Sequence, residues 1–208
     1  MNASSSKSQR LLECAAIGLF ALLAAWSLWR LVVAAEWRLF AVLLVAVPTG
    51  WLTSDLLSGV LHWAFDSWGS VNTPVVGSAF IRPFREHHVD PQAMTQHDFV
   101  ETHGASCLAA LPLLAASSLA PLQTVASLFV QAFLLSVALG ALATNQCHKW
   151  AHMDEASTPV AVRWAQRWRL VLPRWHHRLH HTPPFDSHFC ISSGWFNAPL
   201  NALLRRRR

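Results

Sequence analysis

The chain has 208 residues, of which 53% are apolar and only 13% are charged, and its formal net charge is +5. Charged residues usually make up about a quarter of a soluble domain, so this balance argues against a water-soluble protein and indicates a membrane protein. The four cysteines form no C-x-x-C pair, which argues against a disulfide framework or a zinc knuckle. No nucleic-acid partner is expected.

The N-terminal part of the chain predicts one membrane span. Residues 1–10 form a polar tail, and residues 11–35 are apolar over a length that crosses a bilayer at about 1.5 Å rise per residue. This run is longer than the apolar core of a signal peptide, and Trp26, Trp29 and Arg30 do not make a small-residue cleavage site. We therefore expect the segment to be retained as the first transmembrane helix.

Three further apolar runs follow. The second span is predicted at 39–63, and the histidine-containing stretch 64–103 after it has no run that could cross a bilayer. Residues 104–122 and 124–144 predict a helical hairpin with almost no loop, and the C-terminal segment 145–208 is rich in Arg, His, Trp and Pro. The pattern predicts an all-α integral membrane protein, with about four transmembrane helices in a single domain after the polar tail.

The distribution of basic residues predicts the orientation of the spans. Of the sixteen lysines and arginines, ten follow residue 145, two precede Leu11 and two lie within 64–103. With four spans, the positive-inside rule places both termini and the middle loop on the cytoplasmic side. All twelve histidines fall on that side as well. The sequence therefore predicts one histidine-rich metal site, assembled there from distant parts of the chain.

Two pairs of candidate ligands stand at the ends of predicted spans. His62 and Asp66 are four residues apart, as are His148 and His152, so each pair shares one face of its helix. Further candidates lie in the polar segments, at His87, His88, His97, His176, His177, His180 and His181.

The type and number of these ligands indicate two transition-metal ions. Imidazoles with an occasional carboxylate suit iron, copper or zinc, whereas magnesium and calcium prefer oxygen ligands. The candidates exceed the four to six positions around one ion and match two adjacent ions. A haem-binding electron carrier would need only one or two histidine pairs, and a metal transporter would carry ionisable residues through the membrane interior. Neither alternative explains histidines gathered at one face.

Four stretches resemble the motifs of the plasmanylethanolamine desaturases, the Kua or CarF-type lipid desaturases. They are SGVLHWAFD at 58–66, FREHHVDP at 84–91, QCHKWAH at 146–152 and LPRWHHRLHH at 172–181. The resemblance continues through FCISSGWFN at 189–197. The same family includes the plant chloroplast enzyme that introduces a trans double bond into the palmitate of phosphatidylglycerol. Membership would therefore define the reaction type better than the substrate.

The resemblance implies a di-iron centre with dioxygen as co-substrate. Where the family's loop motif usually reads Glu-Thr-Asn-Gly, this chain has His103 in the third position, and His188 stands where a tyrosine is common, so neither is expected to bind metal. The implied ligands are His62, Asp66, His87, His88, His97, His148, His152, His177, His180 and His181.

Four other residues are candidates for a place around the metal ligands. Asp55 precedes His62 by seven residues and shares its helical face. It could orient a ligand histidine, meet a lipid headgroup or bond a neighbouring helix, and the sequence does not decide among these roles. Glu86 could accept a hydrogen bond from a ligand histidine, Asn145 lies three residues before His148, and His176 could pack beside the ligands.

The expected activity is desaturation of a membrane phospholipid. Removing hydrogen from saturated carbon requires a strong oxidant, which metal-activated dioxygen supplies. The chain has no G-x-G-x-x-G fingerprint, so we expect electrons from a separate protein of the cytochrome b5 or ferredoxin type. An ether phospholipid substrate would give the vinyl ether of a plasmalogen. The alternatives are an acyl-lipid desaturase and, further removed, a histidine-rich metal transporter.

Overall fold

The computed structural model describes residues 7–34, 37–74, 76–119 and 121–205. Every regular element in these ranges is helical, which confirms the predicted fold class. The α-helices are α1 (Lys7–Val33), α2 (Trp37–Ser67), α3 (Arg82–Val89), α4 (Phe99–Leu119), α5 (Val125–His152), α6 (Val160–Arg167), α7 (Arg174–His180) and α8 (Asn197–Arg205). A π-helical turn, Gly77–Ile81, leads into α3, and a short 3₁₀-helix, Ala93–Gln96, follows it.

Among the described residues, four helices are long and apolar enough to cross a membrane, namely α1, α2, α4 and α5. Helix α2 remains helical through Pro48 and ends at Ser67, and α5 ends at His152. Both helices extend beyond their apolar runs. The end of an apolar run shows where polar side chains begin, whereas a helix ends where its backbone hydrogen bonds stop. His62, Asp66, His148 and His152 therefore lie on continuous helix.

Helix α4 begins at Phe99, five residues before the apolar run that predicts it. Asp98 and Glu101 form a reciprocal pair at this end. The backbone N–H of Glu101 donates to Oδ1 of Asp98 at 3.0 Å, and the backbone N–H of Asp98 donates to Oε2 of Glu101 at 3.1 Å. These bonds satisfy donors that a helix N-terminus otherwise leaves without partners.

The described residues divide into two compact units. The first comprises Met1–Ser54 and Asp98–Ala143, so it contains α1, α4 and the N-terminal parts of α2 and α5. Large side chains such as Leu22 are exposed on these helices. Small residues let α2 approach α5 closely: a Cβ on Gly50 would lie 2.5 Å from Cβ of Ser136, and one on Gly140 would overlap Ser54. This pattern is typical of helix packing in membranes.

The second unit comprises Asp55–His97 and Thr144–Arg208. It contains the C-terminal parts of α2 and α5 together with α3, α6, α7 and α8. Its buried apolar residues form two small clusters, one of Ala151, Leu172 and Ile191 and the other of Phe189, Cys190 and Leu200. Every residue that the sequence nominates for the metal site lies in this unit.

Candidate metal centre

Two short helices deliver the histidines that do not lie on the long spans. Helix α3 has a proline in its first turn, where the missing N–H costs nothing, and carries His87 and His88 in its last turn. Helix α7 begins after Pro173, carries His177 and His180, and has His181 at its C-terminal cap. His177 and His181 are four residues apart and therefore share a face.

Five histidines direct their Nε2 atoms toward one point. They are His87, His148, His152, His177 and His181, here called the five-histidine group, and their ligand atoms all lie within 4.8 Å of one another. Nε2 of His177 lies 2.8 Å from Nε2 of His148 and 2.8 Å from Nε2 of His152. Nε2 of His181 lies 3.1 Å from Nε2 of His87. The group thus draws on α3, α5 and α7 with its cap.

A second group surrounds one carboxylate. It consists of His62, Asp66, His88 and His180, here called the four-residue group. Oδ2 of Asp66 lies 3.3 Å from Nε2 of His62, 3.0 Å from Nε2 of His88 and 3.6 Å from Nε2 of His180. Each of two histidine pairs that are adjacent in sequence contributes one member to each group. His87 and His181 belong to the five-histidine group, and their neighbours His88 and His180 belong to the four-residue group.

The spacing of these atoms fits metal coordination. Two nitrogens that each lie about 2.0–2.1 Å from one ion, at right angles to each other, are about 3 Å apart. The Nε2 contacts in the five-histidine group range from 2.8 to 3.3 Å. In the four-residue group, Nε2 of His62 is buried and lies 3.3 Å from Oδ2 of Asp66, but it makes no hydrogen bond with any described residue. A bound ion would satisfy this nitrogen.

Burial keeps four of the histidines outside the spans neutral. Burial, reinforced by neighbouring histidines, lowers the pKa of His177 well below the ordinary value, and burial likewise lowers that of His87. Burial lowers the pKa of His180 to about 3 and that of His181 to about 4. A neutral imidazole keeps a nitrogen lone pair free, which is the form that binds a metal.

Backbone carbonyls orient two ligands of the four-residue group. The Nδ1–H of His62 donates to the carbonyl of Phe189 at 3.0 Å, and the Nδ1–H of His180 donates to the carbonyl of Ser187 at 2.9 Å. A carbonyl can only accept, so Nδ1 must carry the proton and Nε2 of each neutral ring has its lone pair free. Sequence reasoning missed both carbonyls, because a backbone acceptor leaves no mark on residue type.

His97 and two of the proposed neighbours lie outside both groups. His97 is exposed, and its carbonyl accepts a hydrogen bond from Nζ of Lys149 at 2.5 Å. Glu86 is also exposed, on α3. Asn145 is half-buried on α5, one turn before His148.

His176 and the two histidines set aside as ligands also lie elsewhere. His176 is buried between the rings of Trp175 and His188, at centroid distances of 5.1 and 5.2 Å. In the first unit, the Nδ1–H of His103 donates to the carbonyl of Leu142 at 3.1 Å. These contacts give His103, His176 and His188 roles in packing rather than a place in either group.

Asp55 is buried, and its carboxylate accepts hydrogen bonds from the backbone N–H groups of Ser192, Ser193, Gly194 and Phe196. The direct contacts of Asp55 are therefore hydrogen bonds within the protein. Its partner is a C-terminal loop rather than a neighbouring helix.

Comparison with known proteins yields a family match and several relatives. The lipid desaturase domain matches residues 51–205. The plasmanylethanolamine desaturase of Myxococcus xanthus is 46% identical over 94% of this chain and 68% of its own length, and plasmanylethanolamine desaturase 1 of Mus musculus is 43% identical over 91% and 71%. Chloroplastic fatty acid desaturase 4 of Arabidopsis thaliana is 35% identical over 73% of this chain and 46% of its own length. No solved structure is significantly similar.

Proposed function

The chain belongs to the lipid desaturase family, and we propose from this premise that it is an oxidoreductase that introduces the vinyl ether double bond of plasmalogens into an ether phospholipid. The observation that carries the proposal is the pair of adjacent ligand groups at the ends of two spans, in a chain 43–46% identical to proteins named plasmanylethanolamine desaturase.

The two ligand groups suit two iron ions. One ion would be held by the five-histidine group and the other by the four-residue group, whose single carboxylate adds an anionic oxygen to the nitrogen ligands. Iron bound there would activate dioxygen and so supply an oxidant strong enough to remove hydrogen from saturated carbon. Nine of the ten ligands inferred from the sequence fall in these groups, and the tenth, His97, is not part of the proposed set.

The overall reaction requires electrons from outside the chain. A CH₂–CH₂ unit next to the ether oxygen loses two hydrogens and becomes CH=CH. One dioxygen accepts these two hydrogens, two further protons and two electrons, and leaves as two waters. An electron carrier of the cytochrome b5 or ferredoxin type would supply the two electrons.

The protein's own residues enclose several of the proposed ligands. His62 and His180 are fully buried, and His177 is nearly so. Burial disfavours protonation of the His177 and His180 rings, which lie outside the spans, and keeps bulk water away from these ligands. The carbonyls of Ser187 and Phe189 fix which ring nitrogen faces the ion.

The relatives favour an ether lipid over an ester-linked acyl chain. The two relatives with the higher identities are named for plasmanylethanolamine, and the chloroplastic fatty acid desaturase is more distant at 35%. Acyl-lipid desaturation is therefore the second candidate.

We infer from the charge distribution that the centre lies on the cytoplasmic side. Ten of the sixteen basic residues follow residue 145, in the same part of the chain as His148, His152 and the histidines of α7. The positive-inside rule assigns such a segment to the cytoplasm or its topological equivalent.

Lipid analysis tests the proposed activity. Cells without native plasmalogens would express either the intact chain or the His148→Ala variant, would receive an alkylglycerol, and would be assayed for acid-labile 1-alkenyl phospholipids by mass spectrometry. We expect vinyl ethers only with the intact chain. Absence of vinyl ethers despite good expression and a competent electron donor would overturn the ether assignment, and new acyl double bonds would then support the second candidate.

A further inference from the structure

Residues 187–197, here called the C-terminal loop, lie against one face of α2. Three side chains of that face contact the loop, from Asp55, Ser58 and His62. Their spacing of three and four residues aligns them along the helix. The first two hold the loop's backbone, and the third is a proposed metal ligand.

The Asp55 carboxylate accepts hydrogen bonds from four backbone N–H groups of the loop. Oδ1 accepts from Ser192 at 3.1 Å, from Ser193 at 2.7 Å and from Gly194 at 3.0 Å, and Oδ2 accepts from Phe196 at 3.3 Å. Gly194 has a φ of +76°, a left-handed bend that lets successive N–H groups converge on one anion. Asp55 is fully buried, so the bent loop supplies the solvation that the carboxylate loses.

Other hydrogen bonds fix the backbone nearer the start of the loop. The backbone N–H of Ile191 donates to Oγ of Ser58 at 3.1 Å. The side-chain amide of Asn197 makes two hydrogen bonds with the backbone of Cys190. It accepts one from the N–H at 2.8 Å and donates one to the carbonyl at 3.2 Å. The backbone between Phe189 and Asn197 is thus fixed at nearly every residue.

The start of the loop provides both carbonyls that orient metal ligands. Phe189 accepts from Nδ1 of His62, and Ser187 accepts from Nδ1 of His180. Both histidines belong to the four-residue group. A shift of the loop would therefore rotate two of the four ligands of this group while leaving the ligands on α5 in place.

We propose that Asp55 is a positioning residue for the metal bound by the four-residue group. It acts through the C-terminal loop, whose carbonyls hold the Nε2 atoms of His62 and His180 toward the ion. The inference rests on the proposed two-metal centre. It assigns Asp55 to one of the two metal positions, the one in the four-residue group. Partners that orient a metal-binding histidine typically change metal affinity by about 10–100-fold.

The test measures metal affinity rather than turnover. Purified, metal-free chain in detergent would be titrated with Co²⁺, following visible absorbance and the number of ions bound. The Asp55→Asn variant keeps the size of the side chain but removes its charge and turns an amide NH₂ toward backbone N–H groups. We expect one site to keep the affinity of the unaltered chain and the other to weaken by about 10–100-fold.

Two further variants separate positioning from general stability. Thr144→Val removes a buried hydroxyl contact of 2.8 Å with Oγ of Ser192 in the same loop but leaves every backbone contact of Asp55 in place. It should lower the unfolding temperature while leaving both cobalt affinities unchanged. Ser58→Ala removes the acceptor for the Ile191 N–H, together with the bond that the same hydroxyl donates to the backbone carbonyl of Asp55 at 2.7 Å. It should weaken the same single site by a smaller factor, which gives a second measurement if Asp55→Asn fails to fold.

The outcomes distinguish the inference from the proposed function. Two unchanged cobalt sites in both Asp55→Asn and Ser58→Ala would overturn the role of Asp55 and leave the two-metal centre standing. Equal weakening of both sites in these variants and in Thr144→Val would show that Asp55 only stabilises the fold. That result would also overturn the inference. Fewer than two ions on the unaltered chain would overturn the two-metal centre, and the inference with it.

Discussion

Nε2 of His177 lies 2.8 Å from Nε2 of His148. The same atom also lies 2.8 Å from Nε2 of His152 and 3.1 Å from Nε2 of His181. An imidazole nitrogen carries at most one proton, so hydrogen bonds cannot satisfy three such contacts at once. A metal ion at the centre of the group satisfies all of them.

Replacing His177 by alanine should remove one metal ion per chain. The purified protein should contain about two iron ions, and His177→Ala about one, because the four-residue group does not include His177. Elemental analysis against protein concentration measures the difference. His97→Ala is the matched control, since His97 is exposed and outside both groups, and it should keep both ions. Equal metal loss in the two variants would contradict the two-group arrangement.

Asp66→Asn should weaken the four-residue group without unfolding the protein. Oδ2 of Asp66 lies within 3.6 Å of three histidine nitrogens, and the amide provides neither its charge nor two acceptor oxygens. We expect metal affinity at this group to fall at least about 10–100-fold and double-bond formation to fall with it. Glu86→Gln, an exposed carboxylate next to His87, should leave both unchanged. A similar loss in Glu86→Gln would show that general negative charge, and not ligation, is responsible.

His103→Asn should preserve metal content and activity. The Nδ1–H of His103 donates to the carbonyl of Leu142, and an asparagine amide can donate in the same way. Iron content and vinyl ether yield, measured beside the unaltered chain, should agree within error. Loss of one iron ion from this variant would place His103 among the ligands, against the present assignment.

Gly140→Ala should destabilise the packing of α2 against α5 in the first unit. The new Cβ would overlap Oγ and Cβ of Ser54, and overpacking a tight contact typically costs about 1–3 kcal/mol. The unfolding temperature in detergent should fall. Gly18→Ala is the matched control, because no atom lies within 4 Å of its new Cβ, and its unfolding temperature should stay constant or rise. Identical behaviour of the two variants would contradict the close helix approach.

The sequence predicts the pairs on the long helices because their spacing is local. His62 with Asp66, and His148 with His152, need only the geometry of one helix to share a face. The assignment of His87 to one group and His88 to the other is not local, since it depends on where α3 lies against α5 and α7. Helical periodicity carries no information about that arrangement.

The role of Asp55 was equally beyond the sequence. A carboxylate within an apolar run signals a function or a partner but does not name it. Its partners are backbone N–H groups more than 130 residues away, and any residue type except proline provides such a donor. His97 shows the reverse case, since its residue type suggested ligation and its exposed position leaves it outside both groups.

The order of the chain also sets the order in which the centre can form. Among the described residues the four candidate spans end by His152, whereas the ligands of α7 and the C-terminal loop are synthesised afterwards. That loop orients His180 and also His62, which lies on the earlier helix α2. Domains fold from the N-terminus as the ribosome releases them. The helices therefore enter the membrane before the ligand sets are complete, and the proposed metal ions must be acquired by a chain that is already inserted.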